Sequence, residues 1–213
     1  MDLIYNLMPA LIDGLMETLR VFFITIILSI PLGIIVSLGR ISKNKLLNGI
    51  SSFYVMIMRG TPLLLQLVVI FFGLPLVGIR LGRFEAAIIA FVLNYGAYFG
   101  EIFRGGIEDI DDGQYEAAHM LGFSKGYTLR KIIIPQTIKK VLPAITNEIV
   151  TLVKDTSLVY VVGISELLRV GKIASNREAS IIPLLAAGAM YLITISILSK
   201  ALKILEKRYS YYN

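Results

Sequence analysis

Two long stretches without a charged side chain constrain the fold of this chain more than any other feature of its sequence. Residues 21–39 form a run of 19 uncharged residues, and residues 179–199 form a run of 21. Because a helix rises about 1.5 Å per residue, each run is long enough to cross most of a hydrocarbon core of roughly 30 Å. The two runs therefore predict an all-α integral membrane protein.

The composition agrees with this prediction and argues against several kinds of chemistry. Hydrophobic residues make up 56% of the chain and charged residues 17%, against about 25% charged residues in soluble domains. The sequence has no cysteine, which excludes disulfides and thiolate metal sites. His119 is the only histidine, so a histidine metal cluster or a Ser-His-Asp triad would have to be built on it. The composition therefore argues against a metal site and against a histidine-based catalytic triad.

Three further apolar segments bring the number of predicted transmembrane helices to five within a single domain, residues 1–213. They cover residues 46–79, about 85–104 and 141–162. Basic residues gather in the loops of one side, twelve against five, and this excess marks the cytoplasmic face. The N-terminus is then outside and the C-terminus cytoplasmic. Basic residues placed in this way argue against nucleic-acid binding.

The second apolar segment is interrupted by the sequence Arg59-Gly60-Thr61-Pro62. Glycine and proline weaken a helix and release backbone groups, which in a membrane have to be satisfied by protein or by a water-filled cavity. One interpretation is a bent helix that lines a transport pathway, with Gln66 on it. The other is an ordinary proline kink in which Arg59 is paired or reaches the membrane surface.

The third apolar segment carries a polar stripe at helical spacing, formed by Asn94, Tyr98 and Glu101. A carboxylate within a bilayer costs about 2.5–3.5 kcal/mol on insertion scales, so Glu101 is not expected to face lipid. It either faces a pathway or pairs with Arg104. On the opposite side of the helix, Gly96 and Gly100 form a small-residue surface that permits another helix to approach closely.

A second polar stripe, formed by Glu148, Thr151 and Asp155, lies on the fourth segment. Its side chains either face the same pathway or form hydrogen bonds between helices that hold the bundle together. Both stripes together would bring three carboxylates into the membrane. If Glu101 or Asp155 is unpaired there, the pathway should favour a cationic substrate.

The loop of residues 105–136 is the longest polar interruption of the chain. Acidic residues precede residues 114–121, which are mostly good helix formers, and Gly122 follows where a left-handed cap would end the helix. Ser124 suits the cap of a second helix that runs towards Pro135. The pattern predicts a helix of two turns, a corner and another helix, displayed between membrane spans.

This loop resembles the EAA loop of the membrane subunits of bacterial ABC importers. The resemblance rests on Glu116-Ala117-Ala118, on Gly122 after three intervening residues, and on Ile132-Ile133-Ile134-Pro135. Residues 59–66, 98–107 and 154–158 are similar to segments of the polar amino-acid permeases of the histidine, glutamine and arginine type. The likeness extends over roughly residues 10–205.

The resemblance implies a type I ABC importer fold with two permease copies, or one copy and a close paralogue, in the lipid of a bacterial cell membrane. An extracytoplasmic amino-acid-binding protein would deliver the substrate, and separate ATPase subunits would bind ATP and Mg²⁺. The resemblance therefore implies that this chain has no catalytic residue, no metal and no cofactor of its own. It also implies coupling to the ATPase through Tyr115, Glu116, Ala117, Ala118, Leu121, Gly122 and Pro135. The substrate pathway is expected to include Arg59, Thr61, Pro62, Gln66, Asn94, Tyr98, Glu101, Glu148, Thr151 and Asp155.

An alternative function is an ion-coupled transporter or channel that uses Glu101 and Asp155 as a cation or proton relay. The sequence shows no inverted repeat of the kind that many such transporters contain. It also lacks the G-x-x-x-x-G-K-[ST] loop that holds nucleotide phosphates, so ATP-driven transport would require a partner. Among substrates we expect arginine, lysine or histidine first and glutamine next, with aspartate and glutamate least favoured.

Overall fold

The computed structural model describes residues 2–209, which form helices and the short turns between them. The α-helices are α1 (Asp2–Arg40), α2 (Lys45–Gly60), α3 (Leu63–Val68), α4 (Arg83–Glu108), α5 (Asp112–Met120), α6 (Lys125–Thr128), α7 (Ile134–Asp155), α8 (Leu167–Arg177) and α9 (Ile182–Tyr209). Wider π turns, Val69–Gly73 and Leu129–Ile133, follow α3 and α6, and 3₁₀ turns span Leu74–Val77 and Thr156–Val162.

The most extensive packing in the molecule joins α1 and α4, which run parallel to each other. A Cβ added at Gly33 of α1 would lie 2.7 Å from the Cβ of Phe99, and one added at Gly100 of α4 would lie 2.7 Å from Val36 Cγ1. Gly96 is equally close to Leu32, 2.6 Å from its Cδ2. The predicted small-residue surface on α4 is therefore confirmed, and glycines on both helices allow the approach.

The apolar segment with the Gly-Thr-Pro sequence folds as a broken helix. Its two halves, Lys45–Gly60 and Leu63–Val77, meet at an angle of 103°. Pro62 has extended backbone angles and stands directly before α3. Gly78, with φ +87°, ends this second half and turns the chain towards α4. The predicted bend is thus present and is much sharper than an ordinary proline kink.

The predicted cytoplasmic helix is α5, which has caps at both ends. The Asp111 side chain accepts a hydrogen bond from the Gly113 N–H at 2.6 Å. At the other end Gly122 has φ +74°, and the Phe123 N–H donates to the Ala118 carbonyl at 3.0 Å. This is the left-handed glycine ending of a helix. The corner expected at Gly122 is confirmed.

The helix that follows differs from the prediction at Pro135. Ser124 caps it as expected, accepting from the Tyr127 N–H at 3.3 Å, but Pro135 does not end it. The chain continues helically from α6 through a π turn into α7. In this turn the Ile134 N–H reaches back five residues to the Leu129 carbonyl. Inside an α-helix, the ring of a proline and its missing N–H disrupt the regular turn that precedes it. Here that preceding turn is a wider π turn, and the helix continues past Pro135.

The connection between the fourth segment and α9 contains a buried acid. The Glu166 side chain is 0% exposed and caps α8 by accepting from the N–H groups of Leu168 at 2.6 Å and Arg169 at 2.7 Å. It also accepts from the Tyr191 hydroxyl of α9 at 2.8 Å. Burial raises the pKa of Glu166, and these hydrogen bonds oppose the rise.

The five predicted spans correspond to α1, the broken helix, α4, α7 with its 3₁₀ extension, and α9. Within residues 2–209, α1, α4 and α9 are each long and apolar enough to cross a membrane, and the broken helix makes a fourth candidate. The remaining segment, α7, is 22 residues long and amphipathic, with buried and polar faces. Its polar face is the stripe formed by Glu148, Thr151 and Asp155.

The contact between α1 and α4 yields a direct test of the fold. Gly33→Ala is expected to destabilise the protein by about 1–3 kcal/mol, because the new methyl group would press on the backbone of α4. Gly105→Ala is the matched control on α4, since a Cβ there meets nothing within 4 Å. The control should gain up to about 1 kcal/mol of helix stability. Thermal unfolding in detergent measures both. Equal midpoints for the two variants would contradict the packing described here.

Candidate functional site

A cavity of about 310 Å³ lies where the broken helix meets α4 and α7. It is polar in a part of the molecule that is otherwise apolar. Its lining comes from four elements and consists of Thr61, Pro62, Leu63, Leu64, Asn94, Tyr95, Tyr98, Glu148, Thr151, Asp155 and Leu158. The cavity therefore contains seven of the ten residues that the sequence predicts for a substrate pathway.

The break that opens this cavity is held by two amide side chains. In a continuous helix the N–H of residue 62 would donate to the Met58 carbonyl, but Pro62 has no N–H. Instead, Asn94 Nδ2 and Gln66 Nε2 both donate to the Met58 carbonyl at 2.9 Å. Gln66 Nε2 also donates to Thr61 Oγ1 at 2.8 Å, and Asn94 Nδ2 to Gln66 Oε1 at 3.0 Å. Gln66 and Asn94 thus stabilise the bent backbone.

The charged groups of the cavity are acidic. The buried Tyr95 hydroxyl donates to Asp155 Oδ2 at 2.7 Å. Glu148 and Asp155 both line the cavity, and neither forms an ion pair with another group in the described part of the chain. The Arg59 guanidinium lies 5.2 Å from the centre of the Tyr98 ring and close enough to Glu148 to attract it. The cavity thus contains two carboxylates and an aromatic face, with the Arg59 guanidinium beside them.

Glu101 lies outside this cavity, in an ion cluster at the end of α4 that precedes α5. Its carboxylate pairs with Arg104 and lies 3.5 Å from the guanidinium of Arg40 on α1. Arg104 also pairs with Glu108, and Arg40 donates to the Ser52 hydroxyl of α2. The cluster joins three helices. Of the two interpretations of Glu101 left open by the sequence, the structure shows the pairing with Arg104.

The structure also brings in residues that the sequence analysis did not select. Tyr95, Leu63, Leu64 and Leu158 line the cavity. Tyr95 stands one position after Asn94, off the polar stripe of α4, and no local pattern in the sequence connects it with Asp155, 60 residues away. The three leucines could have been expected near the break, but apolar residues there resemble the rest of the span.

The loop residues compared with the EAA loop form an exposed surface around α5. Met120 and Leu121 are 86% and 71% exposed, while Ala118 is buried and Ala117 is exposed. A second cavity, of about 370 Å³, lies between α5 and α6 and is lined mainly by Tyr115, His119, Phe123, Lys125, Thr128 and Leu129. Large exposed apolar side chains beside such a cavity are typical of a protein contact surface.

A hydrogen bond connects this surface with α7, since Gln136 Nε2 donates to Gln114 Oε1 of α5 at 3.3 Å. Close by, Lys140 of α7 lies 2.6 Å from Asp109, which directly follows α4. Pro135 is exposed at the start of α7, on the same side of the molecule as α5. Within residues 2–209, no group of three or more histidine, aspartate or glutamate side chains is arranged to hold a metal ion.

Comparison with known proteins supports the assignment that the motifs indicated. Residues 29–211 match the family described as binding-protein-dependent transport system inner membrane component. The arginine transport system permease protein ArtQ of Bacillus subtilis (strain 168) is 39% identical over 94% of this chain and 92% of its own length. A putative glutamine transport system permease protein of Rickettsia typhi, GlnP, is 36% identical over 93% and 92%.

Solved structures give the same answer for the fold. The crystal structure of an amino acid ABC transporter with histidines superposes with a TM-score of 0.90 at 34% identity, covering 96% of each chain. The MetNI methionine ABC transporter in an inward-facing conformation superposes with a TM-score of 0.78, and its 22% identity makes it evidence for the fold alone. The fold is that of a type I ABC importer. This chain belongs to the family of binding-protein-dependent transport system inner membrane components, the permease subunits of ABC importers.

Proposed function

We propose that this permease subunit moves polar amino acids through the cavity beneath the helix break, and that basic amino acids are its preferred substrates. The observation that carries the proposal is the pair of carboxylates, Glu148 and Asp155, that share the cavity without an ion-pair partner in the described residues. The names of the relatives, an arginine permease and a glutamine permease, support a substrate of this class.

The chemistry of the cavity suits a cationic side chain. Charges removed from water need partners. A guanidinium or ammonium group of the substrate would be the positive partner that the carboxylates of Asp155 and Glu148 lack. Tyr98 would add a cation–π contact. The α-carboxylate would meet Arg59, whose guanidinium already lies over the Tyr98 ring. Thr61, Pro62 and Thr151 would shape the remaining wall, while Gln66 and Asn94 would hold the break in place.

Glu101 has a different place in this proposal. Its carboxylate is held by Arg40 and Arg104, so we assign it to the connection between helices and not to substrate binding. The same arrangement disfavours the alternative of an ion-coupled transporter or channel. A relay from Asp155 to Glu101 would have to pass through a carboxylate that is already neutralised by two arginines.

Transport would be driven by partner proteins. ATPase subunits, which bind ATP and Mg²⁺ themselves, would dock on α5 and its corner through Tyr115, Glu116, Ala117, Ala118, Leu121, Gly122 and Pro135. A second permease copy, identical or a paralogue, would complete the pathway in the lipid bilayer. A binding protein would deliver the amino acid on the side of the N-terminus, which we place outside, with the C-terminus in the cytoplasm. This chain would then have no cofactor of its own.

One prediction of this proposal concerns the corner after α5. Gly122→Val is expected to abolish substrate-stimulated ATP hydrolysis, because a β-branched residue is strained at φ +74° and would displace the corner. The control is Gly126→Val on α6, where a Cβ also meets nothing within 4 Å and φ is not positive. We would measure ATP hydrolysis in proteoliposomes and the amount of ATPase that co-purifies. Wild-type ATP hydrolysis and wild-type recovery of the ATPase with the Gly122 variant would show that this corner is not part of the docking site.

A further prediction concerns the substrate. Asp155→Asn should weaken the apparent affinity for arginine at least tenfold relative to glutamine, because it removes a charged hydrogen-bond partner from the cavity. Glu148→Gln should act in the same direction. Glu178→Gln, which changes an exposed carboxylate outside both the cavity and the ion cluster of Glu101, is the control. We would measure these affinity ratios in proteoliposomes that contain the cognate binding protein, by letting arginine and glutamine compete for uptake. Preferred transport of aspartate or glutamate by the wild type would contradict the proposal.

A further inference from the structure

A cavity of about 470 Å³ lies between the first turns of α7 and the end of α9. Lys139 and Lys140 of α7 and Lys207 of α9 belong to its lining. Lys140 and Lys207 are exposed, and Lys139 is half-buried. The cavity lies at the same end of the molecule as α5, since Lys140 pairs with Asp109 in the short connection between α4 and α5. In the proposed orientation this end is cytoplasmic, so three lysines from two helices line one opening on that side.

The lining carries more positive than negative charge. Among the described residues of the lining, Glu206 supplies the one carboxylate, and it accepts a hydrogen bond from the Thr146 hydroxyl, which connects α9 with α7. Asp109 pairs with Lys140 but is not part of the lining. Even with that pair counted, three ammonium groups are set against two carboxylates. Because an ammonium group has three N–H donors, a lysine that already has one contact can still donate to an anion. The cavity is therefore complementary to a negatively charged ligand.

An exposed apolar row on α9 leads towards this charged end. Ile193, Ile197 and Ile204 are all exposed. Together with Lys207 they occupy positions i, i+4, i+11 and i+14, which share one face of a helix. The buried residues of α9 lie within its first two turns, at the other end of the helix. An apolar row that ends at a cation suits a lipid, whose chains lie beside the row and whose headgroup lies at its end.

We propose that this cavity binds the headgroup phosphate of an anionic phospholipid of the cytoplasmic leaflet. The phosphate oxygens would accept charge-assisted hydrogen bonds from Lys139, Lys140 and Lys207. An acyl chain of the same lipid would lie along the exposed isoleucines of α9. Basic pockets between transmembrane helices on the cytoplasmic side suit such headgroups, because that leaflet contains anionic lipids. The inference is independent of the proposed substrate and uses the proposed orientation only to name the leaflet.

The test titrates the permease–ATPase complex in detergent with phosphatidylglycerol and counts bound lipids and subunits by native mass spectrometry. Phosphatidylglycerol is expected to bind, and the zwitterionic phosphatidylcholine about tenfold more weakly, because its headgroup has no net charge. Glycerol 1-phosphate, a soluble phosphate, should also bind about tenfold more weakly, because it has no acyl chain to cover the isoleucines. Equal binding of the two lipids would overturn the proposal, as would glycerol 1-phosphate binding as tightly as phosphatidylglycerol.

Charge variants locate the binding. The double variant Lys139→Gln, Lys207→Gln should weaken phosphatidylglycerol binding about tenfold or more, because each lysine near an anionic lipid contributes to its attraction. The matched control is Lys200→Gln, Lys203→Gln, which removes the same charge from exposed lysines of α9 outside the lining. Equal losses in both double variants would show a general attraction to basic residues and would overturn the proposal. Unchanged binding in the first double variant would do the same.

An apolar variant separates a lipid from a protein partner. Ile204→Ser should weaken phosphatidylglycerol binding about threefold or more, because it removes apolar surface from the row. Leu185→Ser, a similarly exposed position at the other end of α9, is the control and should leave binding unchanged. Wild-type lipid binding in Ile204→Ser would contradict the proposal. Loss of a permease copy or of the ATPase from the complex, in this variant or in Lys139→Gln, Lys207→Gln, would assign the face to a subunit contact and overturn it.

Discussion

The missing N–H of Pro62 is the constraint on which the transport site depends. Within a membrane a backbone carbonyl that loses its helical partner has to find another donor, because lipid offers none. Here the Met58 carbonyl accepts from Gln66 and Asn94, one on the far side of the break and one on α4. By satisfying the Met58 carbonyl, the two amides stabilise the break in the helix, whose halves meet at an angle of 103°. The opening left by that angle is the cavity.

The polar side chains of the predicted membrane spans therefore have two different roles. Asn94 and Gln66 satisfy backbone and each other, and their donors are occupied before any substrate arrives. Asp155 and Glu148 have fewer partners, since Asp155 accepts one hydrogen bond from Tyr95 and neither carboxylate is ion-paired within residues 2–209. Because unpaired charge in a membrane is costly, it is the second pair that a cationic ligand would stabilise.

Much of the fold could be predicted because its signals are local. Apolar runs located the spans, Gly122 marked the end of α5, and the Gly-Thr-Pro sequence marked the break. The wide turn before Pro135 could not be predicted, since helix continuation through it depends on a five-residue hydrogen bond that no residue type specifies. The site was less predictable for a related reason. Helical spacing placed Glu101 and Asn94 on one stripe and offered Arg104 as a partner for Glu101, but it could not show that Arg40 of α1 joins this pair.

The continuity of α4 connects the cavity with the proposed ATPase surface. This helix carries Asn94, Tyr95 and Tyr98 at the cavity, and only three residues separate its end at Glu108 from the start of α5 at Asp112. Glycines pack it tightly along the parallel α1, and the ion cluster around Glu101 joins both helices to α2. A close-packed interface of this kind deforms little and transmits strain. A displacement of α5 would then reach the cavity as a movement of the α1–α4 pair relative to the broken helix, α7 and its 3₁₀ extension, which complete the wall.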